Sequence, residues 1–111
     1  MTATLDLQTR QGSTFRRRLT FQTEAGVAVP LTGFTIRGQV RKFWDGDLIA
    51  SFTVVEIDLA GGVIELLLLD TLTDTLLPGN SVYDLELVDP TTGDISCPIR
   101  GTFSVLAGAT R

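Results

Sequence analysis

Apolar and polar residues alternate along most of this chain with a period of two. The clearest run spans residues 34–43, in which one face would hold Phe34, Ile36, Gly38 and Val40 and the other Thr35, Arg37, Gln39 and Arg41. This period is typical of strands, whose successive side chains point to opposite faces, and not of helices. Clusters of Gly, Pro, Asn and Asp separate the runs, as turns require. The pattern therefore predicts an all-β protein of short antiparallel strands.

Turn signals set the expected number of strands. Asp45-Gly46 and Gly61-Gly62 each predict a hairpin turn, with one strand over residues 48–57 between them. Residues 70–77 break the alternation, and their Asp-Thr start and leucines, ended by Pro78-Gly79, predict one or two helical turns. Seven or eight short strands, with turns roughly every 8–12 residues, predict an antiparallel β-sandwich that is immunoglobulin-like or similar.

The length of the chain sets the expected domain count. A chain of 111 residues suffices for one hydrophobic core, so we expect a single domain over residues 1–111. Residues 1–10 and 106–111 are candidate extended arms, although the alternation of Leu5 and Leu7 also suits an edge strand. No apolar run approaches the roughly 20 residues of a membrane-spanning helix, and the first residues do not resemble a signal peptide. We therefore expect a soluble protein made in the cytosol.

The net charge of −4 is unevenly distributed along the chain. Residues 1–44 carry seven basic and two acidic groups, a net +5, whereas residues 45–111 carry two basic and eleven acidic groups, a net −9. The split either places a basic face opposite an acidic one, which suits copies or partners stacked head to tail, or lets oppositely charged strands attract within the fold. Nucleic-acid binding is disfavoured, because the pI is about 4.6 and Arg16-Arg17-Arg18 would divide between two faces of a strand.

Two features point to contacts with other chains. Residues 63–69 are largely apolar on both faces, so this strand is either central or covered by a neighbouring chain. Trp44, beside the Asp45-Gly46 turn, either caps the end of the core or is an exposed anchor for a partner. The candidate protein-interface residues are Arg16, Arg18, Arg37, Arg41, Trp44, Ile64, Leu66 and Leu68.

Catalytic chemistry has little support in the sequence. Histidine is absent and Cys97 is the single cysteine, which excludes a disulfide within the chain and most triad or cysteine-metal designs. We expect Cys97 to be a small buried apolar residue. Six aspartates lie in or beside turns, where carboxylates usually bind backbone amides: Asp45, Asp47, Asp70, Asp74, Asp89 and Asp94. We predict no catalytic residue, no cofactor and no metal site.

Two other functions stay open at this point. A carbohydrate-binding module would need exposed aromatic residues on a flat face, and Trp44 and Phe43 are available for it. A hydrolase with paired carboxylates would need two acids about 5–10 Å apart in a cleft, with the pKa of one of them raised.

Several short segments occur in a recognisable order and spacing: QGSTFRR at 11–17, VPLTGFTIRGQVR at 29–41, LPG at 77–79, VYDLEL at 82–87, TGD at 92–94, RGTFSV at 100–105 and TR at 110–111. Together they make the chain resemble small phage and prophage virion proteins, and the N-terminal module of baseplate upper proteins, over nearly its whole length.

The resemblance implies a β-sandwich that serves without catalysis as an assembly or attachment piece of a tail, baseplate, fibre or capsid. Such a protein would be assembled in the host bacterial cytoplasm and end in the virion. The expected partners are other virion proteins and copies of this chain. We expect no nucleic acid, membrane or small-molecule substrate.

Overall fold

Two β-sheets pack face to face in the computed structural model of the chain, which describes residues 3–109. The chain also forms one short helix, α1 (Asp70–Thr73), in the described residues. The strands are β1 (Ala3–Thr4), β2 (Leu7–Arg10), β3 (Phe15–Thr20), β4 (Thr35–Arg41), β5 (Leu48–Ser51), β6 (Thr53–Asp58), β7 (Val63–Leu68), β8 (Gly79–Val88) and β9 (Ile95–Leu106). The predicted all-β sandwich is therefore confirmed, with nine strands in this part of the chain.

The larger sheet has the order β1-β9-β8-β4-β5, and β2 also pairs with β9 beyond β1. The smaller sheet has the order β3-β7-β6. Neighbouring strands are antiparallel except β1 and β2, which run parallel to β9. The sandwich is thus mixed rather than wholly antiparallel, because the chain enters the large sheet beside its own last strand.

Residues 3–10, the described part of the predicted arm over residues 1–10, form an edge of the large sheet. At the other end of the chain, Leu106 and Gly108 are bound to Gln11. The Leu106 carbonyl accepts a hydrogen bond from the Gln11 amide at 2.9 Å, and the Gly108 amide donates to the Gln11 side-chain oxygen at 3.1 Å. Both ends are therefore hydrogen-bonded to the sandwich as far as the described residues extend. Residues 1, 2, 110 and 111 of the predicted arms lie outside them.

The predicted strand over residues 48–57 is in fact two strands in different sheets. β5 pairs with β4 in the large sheet and β6 pairs with β7 in the small sheet, with Phe52 between them. The Phe52 amide donates to the Gly38 carbonyl at 2.8 Å, and its ring is buried. The chain bends at Phe52 so that this ring enters the core, which joins the two layers through one continuous segment.

Both predicted hairpin turns are confirmed. The Gly46 amide donates to the Phe43 carbonyl at 2.9 Å in the turn between β4 and β5. The second turn, between β6 and β7, requires a glycine at position 62, where φ is +73° and an added Cβ would lie 2.6 Å from the Val29 carbonyl oxygen. The predicted helical turn is confirmed as α1, and turns continue the chain from it to the buried Leu76.

The core centres on four aromatic rings contributed by both sheets. Phe103 of β9 lies 5.4 Å from Phe15 of β3 and 5.7 Å from Phe52, measured between ring centroids. Phe52 also lies 6.0 Å from Tyr83 of β8, with the ring planes nearly perpendicular. Aromatic pairs in this edge-to-face geometry stabilise a core beyond the area that they bury. The cluster therefore joins the inner faces of the two sheets.

The segment between β1 and β2 is bound to the large sheet by polar contacts. The Tyr83 hydroxyl donates to the Leu5 carbonyl, and the Thr102 amide donates to the Asp6 carboxylate at 3.1 Å. An added Cβ on Gly101 would lie 2.3 Å from the Leu5 carbonyl oxygen, so only glycine lets the two backbones cross this closely.

We expect Phe103→Ala to lower the free energy of unfolding by about 3–5 kcal/mol, because it removes a fully buried ring and leaves a cavity between the sheets. Phe43→Ala is the matched control, since the Phe43 ring is 66% exposed and its loss should change stability by less than about 0.5 kcal/mol. Urea denaturation checks both. Equal effects of the two substitutions would contradict the assigned core.

The pKa of Tyr83 is raised to about 12, chiefly by burial and secondly by the charge of Asp6, while Arg17 acts in the opposite direction. As pH rises, the Tyr83 hydroxyl loses its proton in the unfolded state before it does so in the folded state. The free energy of unfolding is therefore unaffected by this group below about pH 10, and it falls as pH rises from about 10 to about 12. Tyr83 is the single tyrosine. A titration followed by tyrosinate absorbance should therefore have its midpoint near 12 in the folded chain and near 10 in denaturant. Coincident midpoints would contradict the burial of this hydroxyl.

Candidate protein-interaction surfaces

Three of the predicted interface residues lie in the core. Ile64, Leu66 and Leu68 are 0%, 0% and 1% exposed, because β7 is the central strand of the small sheet and these residues face the large sheet. They are not available to a partner of the folded chain, which corrects that expectation. On the outer face of the same strand, Glu65 and Leu67 are half-buried.

The outer face of the small sheet carries a charge cluster around Glu65. Arg16 contacts one oxygen of its carboxylate at 3.1 Å, and Arg18 lies 3.9 Å from the other. Both arginine side chains are more than half exposed, and such pairs add at most about 1 kcal/mol to stability. Two arginines against one glutamate leave a positive surface here.

The outer face of the large sheet holds the other two predicted arginines. Arg37 of β4 pairs with Glu86 of β8 at 3.0 Å, and both side chains are exposed. Arg41 donates to the Gly46 carbonyl and to the Gln39 side-chain oxygen, each at 3.0 Å. Arg41 therefore braces the β4–β5 hairpin, whereas Arg37 is open to solvent.

Trp44 also lies on the outer face of the large sheet. The Arg100 guanidinium carbon stands 3.8 Å from the centre of the Trp44 ring, in cation–π geometry. The ring is 46% exposed and does not belong to the core. The interpretation of Trp44 as a cap over the core is therefore wrong, and the interpretation as an exposed anchor stays a prediction.

A groove of about 550 Å³ opens between β2 and β3, where the two sheets end side by side. Asp6 and Arg17 are among its lining residues. Arg17 is opposite Leu66 in register, so its position faces inward, yet its side chain is exposed. The sequence carried a signal for this groove, since Arg17 is a charged residue on the apolar face of its strand.

A second cavity, of about 410 Å³, lies between the β4–β5 hairpin and the chain that leads into β8. Its lining is more apolar and includes Ile49, Leu76 and Val105. Leu77 at its edge is largely exposed. No local sequence pattern indicates this cavity, because its walls come from segments that are distant in the chain.

Several acidic side chains bind backbone amides or form ion pairs. The Asp89 carboxylate accepts from the Thr91 amide at 2.7 Å and from the Thr92 amide at 3.2 Å, which confirms the predicted role for this turn aspartate. Asp58, outside the predicted set, accepts from the Gly61 amide at 3.1 Å. No cluster of three acidic or cysteine side chains within residues 3–109 could hold a metal ion.

Cys97 is half-buried rather than fully buried, and its thiol donates to the Ile99 carbonyl at 3.4 Å. Burial raises the pKa of the thiol, and the negative charge of Asp84 adds to that effect. In the described range no helix is long and apolar enough to cross a membrane.

These features define a β-sandwich with charged, open surfaces. It is similar to the N-terminal domain of ORF48 from phage TP901-1, with 14% sequence identity and a TM-score of 0.51, over 94% of this chain and 93% of that one. At this identity the likeness shows a shared fold. No protein-family model and no curated protein matches the sequence.

Two further similarities are weaker, each with a TM-score of 0.45. One is to a family 123 glycoside hydrolase from Clostridium perfringens, at 12% identity over 97% of this chain and 24% of that one. The other is to InlP from Listeria monocytogenes, at 14% identity over 96% of this chain and 28% of that one. Both are too distant to bear on this chain.

We expect the stacked pair of Trp44 and Arg100 to show a coupling energy of about 0.5–1 kcal/mol in a double-mutant cycle of Trp44→Ala and Arg100→Ala. The reason is that the guanidinium lies over the ring face. Thermal unfolding of the four proteins checks it. Strictly additive effects would show that this contact contributes nothing to stability.

Proposed function

We propose that this chain is a non-enzymatic structural protein of a bacteriophage virion, an assembly or attachment module in the tail, baseplate, fibre or capsid. The observation that carries the proposal is the structural likeness to an N-terminal phage domain over 94% of this chain and 93% of the other. A match that spans both domains from end to end is what a shared module would give. The sequence motifs support the same setting independently.

The exposed surfaces suit contact with other virion proteins. Arg16, Arg18 and Arg37 remain candidate contact residues, because each is more than half exposed while held in place by a glutamate. A side chain that is already oriented loses less entropy when a partner binds. Trp44 adds an aromatic residue next to the exposed Phe43, and aromatic residues and arginine are enriched at the centres of protein interfaces.

A carbohydrate-binding module is the alternative. Phe43 and Trp44 are exposed, as that function requires, but Arg100 already covers one face of the Trp44 ring. Stacking of a sugar on Trp44 would have to use the other face. Chemical-shift changes around Trp44 on addition of host glycans, absent in Trp44→Ala, would favour this alternative over a contact between proteins.

The arrangement of the acids supports the non-enzymatic part of the proposal. The groove between β2 and β3 has one carboxylate among its lining residues, that of Asp6, which accepts a hydrogen bond from the Thr102 amide. Asp84 and Glu86 line a shallow groove of about 90 Å³ on the outer face of the large sheet, and Glu86 is paired with Arg37 there. A water-activating pair of carboxylates needs an enclosed site, and these surroundings do not supply one.

The virion proposal predicts that the protein is a component of particles. Phage particles induced from a strain that carries the gene, and purified by density, should contain the chain at a fixed ratio to the major capsid protein. Quantitative mass spectrometry of the purified band checks this ratio. Immunogold labelling should mark one region of the particle.

Abundant cytosolic proteins of the host are the control for contamination, and they should fall to background in the band where the chain does not. Recovery of the chain only in the soluble fraction of the lysate, with normal particles in the band, would overturn the proposal.

A further inference from the structure

The sandwich has two lateral sides at which both sheets end. On the β2–β3 side, β2 is an edge of the large sheet and β3 is an edge of the small sheet, with the 550 Å³ groove between them. On the β5–β6 side, the edges are β5 and β6, which follow each other in the chain. Within residues 3–109 no strand pairs with the outer edges of these four strands. Each side therefore offers two rows of backbone donors and acceptors.

The two lateral sides carry opposite charge. Residues 7–20, which include β2 and β3, contain four arginines and no acidic residue, and Asp6 is the one acid that lines the groove between the two strands. Residues 48–58, which form the β5–β6 side, contain two acidic residues and no basic one. The charge split along the sequence thus becomes, in part, a split between the two sides of the molecule.

One residue on each side is an unpaired charge at an inward-facing position. Arg17 is opposite Leu66 in register and Glu56 is opposite Ile64, so both share the face of the small sheet that packs on the core. Both side chains are exposed, and neither makes an ion pair or a side-chain hydrogen bond with another described residue. A charge that becomes buried on this face needs a partner of opposite sign. Arg17 and Glu56 each lie on an edge strand, where a second chain could supply that partner.

We propose that the β2–β3 side binds the β5–β6 side of a second copy of this chain, head to tail, with Arg17 of one copy paired to Glu56 of the next. β3 would meet β6 of the neighbour in the small sheet, and β2 would meet β5 in the large sheet, so both layers continue across the junction. β3 and β6 run in the same direction, since each is antiparallel to β7. Their junction is therefore parallel.

Like-with-like pairing of edges is disfavoured. A two-fold axis would bring identical edges together, and β3 against β3 would juxtapose two sets of three arginines, Arg16 to Arg18. β6 against β6 would juxtapose Glu56 and Asp58 with the same residues of the neighbour. Of these three pairings, only that of β3 with β6 brings arginines opposite acidic residues. Such a contact is heterologous, and it closes into a ring or extends as a filament.

This inference deepens the proposed function by naming one partner, a second copy, and it rests on that function only for the biological setting. Sedimentation velocity on the full chain tests it directly. We expect concentration-dependent association that weakens from low to high salt, because the junction is made of opposite charges. Arg17→Glu and Glu56→Arg should each raise the dissociation constant about tenfold or more, and the double variant should return it to within about threefold of the original value.

Glu86→Arg is the matched control for Glu56→Arg. It makes the same charge change on the outer face of the large sheet, away from both lateral sides, and should leave association unchanged. Circular dichroism checks that each variant folds, and if Arg17→Glu does not, Glu56→Arg decides the matter alone. A chain that stays monomeric up to about 1 mM, or a Glu86→Arg control that weakens association as much as Glu56→Arg does, would overturn the proposal. Neither result affects the virion assay, so the two proposals fail separately.

Discussion

Contact among four aromatic rings is the interaction on which this structure depends. Phe15 comes from the small sheet, Tyr83 and Phe103 come from the large sheet, and Phe52 lies where the chain passes from one sheet to the other. The other buried hydrophobic residues of the core are aliphatic, and Phe21 and Phe34 are partly buried against it. Three of the four ring pairs meet edge to face with their centroids 5.4–6.0 Å apart, and this geometry stabilises one spacing and orientation of the two layers.

The position of the first strands follows from this core. Tyr83 is part of the aromatic cluster, and its hydroxyl reaches past β9 to the Leu5 carbonyl, so the ring that packs the core also holds the N-terminal segment. Gly101 allows that segment to lie directly on β9. The parallel strands β1 and β2 then occupy the edge beside β9 and leave β2 next to β3. The groove that contains Arg17 is a consequence of that placement.

Local alternation predicted most strands, both glycine hairpins and the all-β class, because side-chain direction in a strand depends on neighbours in sequence. It could not predict the division at Phe52, since alternation continues through a strand that changes sheets. The parallel pairing of β1 and β2 depends on contacts about a hundred residues apart, which no local pattern contains. Both faces of β7 are largely apolar, so the sequence could not tell which face the core covers. Ile64, Leu66 and Leu68 were expected at an interface but are buried in the core. Arg16, Arg18 and Arg37 were rightly expected on outer faces, because charge resists burial.

The inward-facing charges at Arg17 and Glu56 have two physical effects that usually conflict. A charge at an inward position of an edge strand protects that edge from indiscriminate pairing, because any apolar partner strand would bury it unpaired. The same charge favours a partner that supplies the opposite sign at the matching position, because only that partner removes the penalty. When the two edges of one sheet carry opposite signs, a single chain satisfies both conditions: identical edges repel, apolar edges are excluded, and the complementary edge of a second copy is selected.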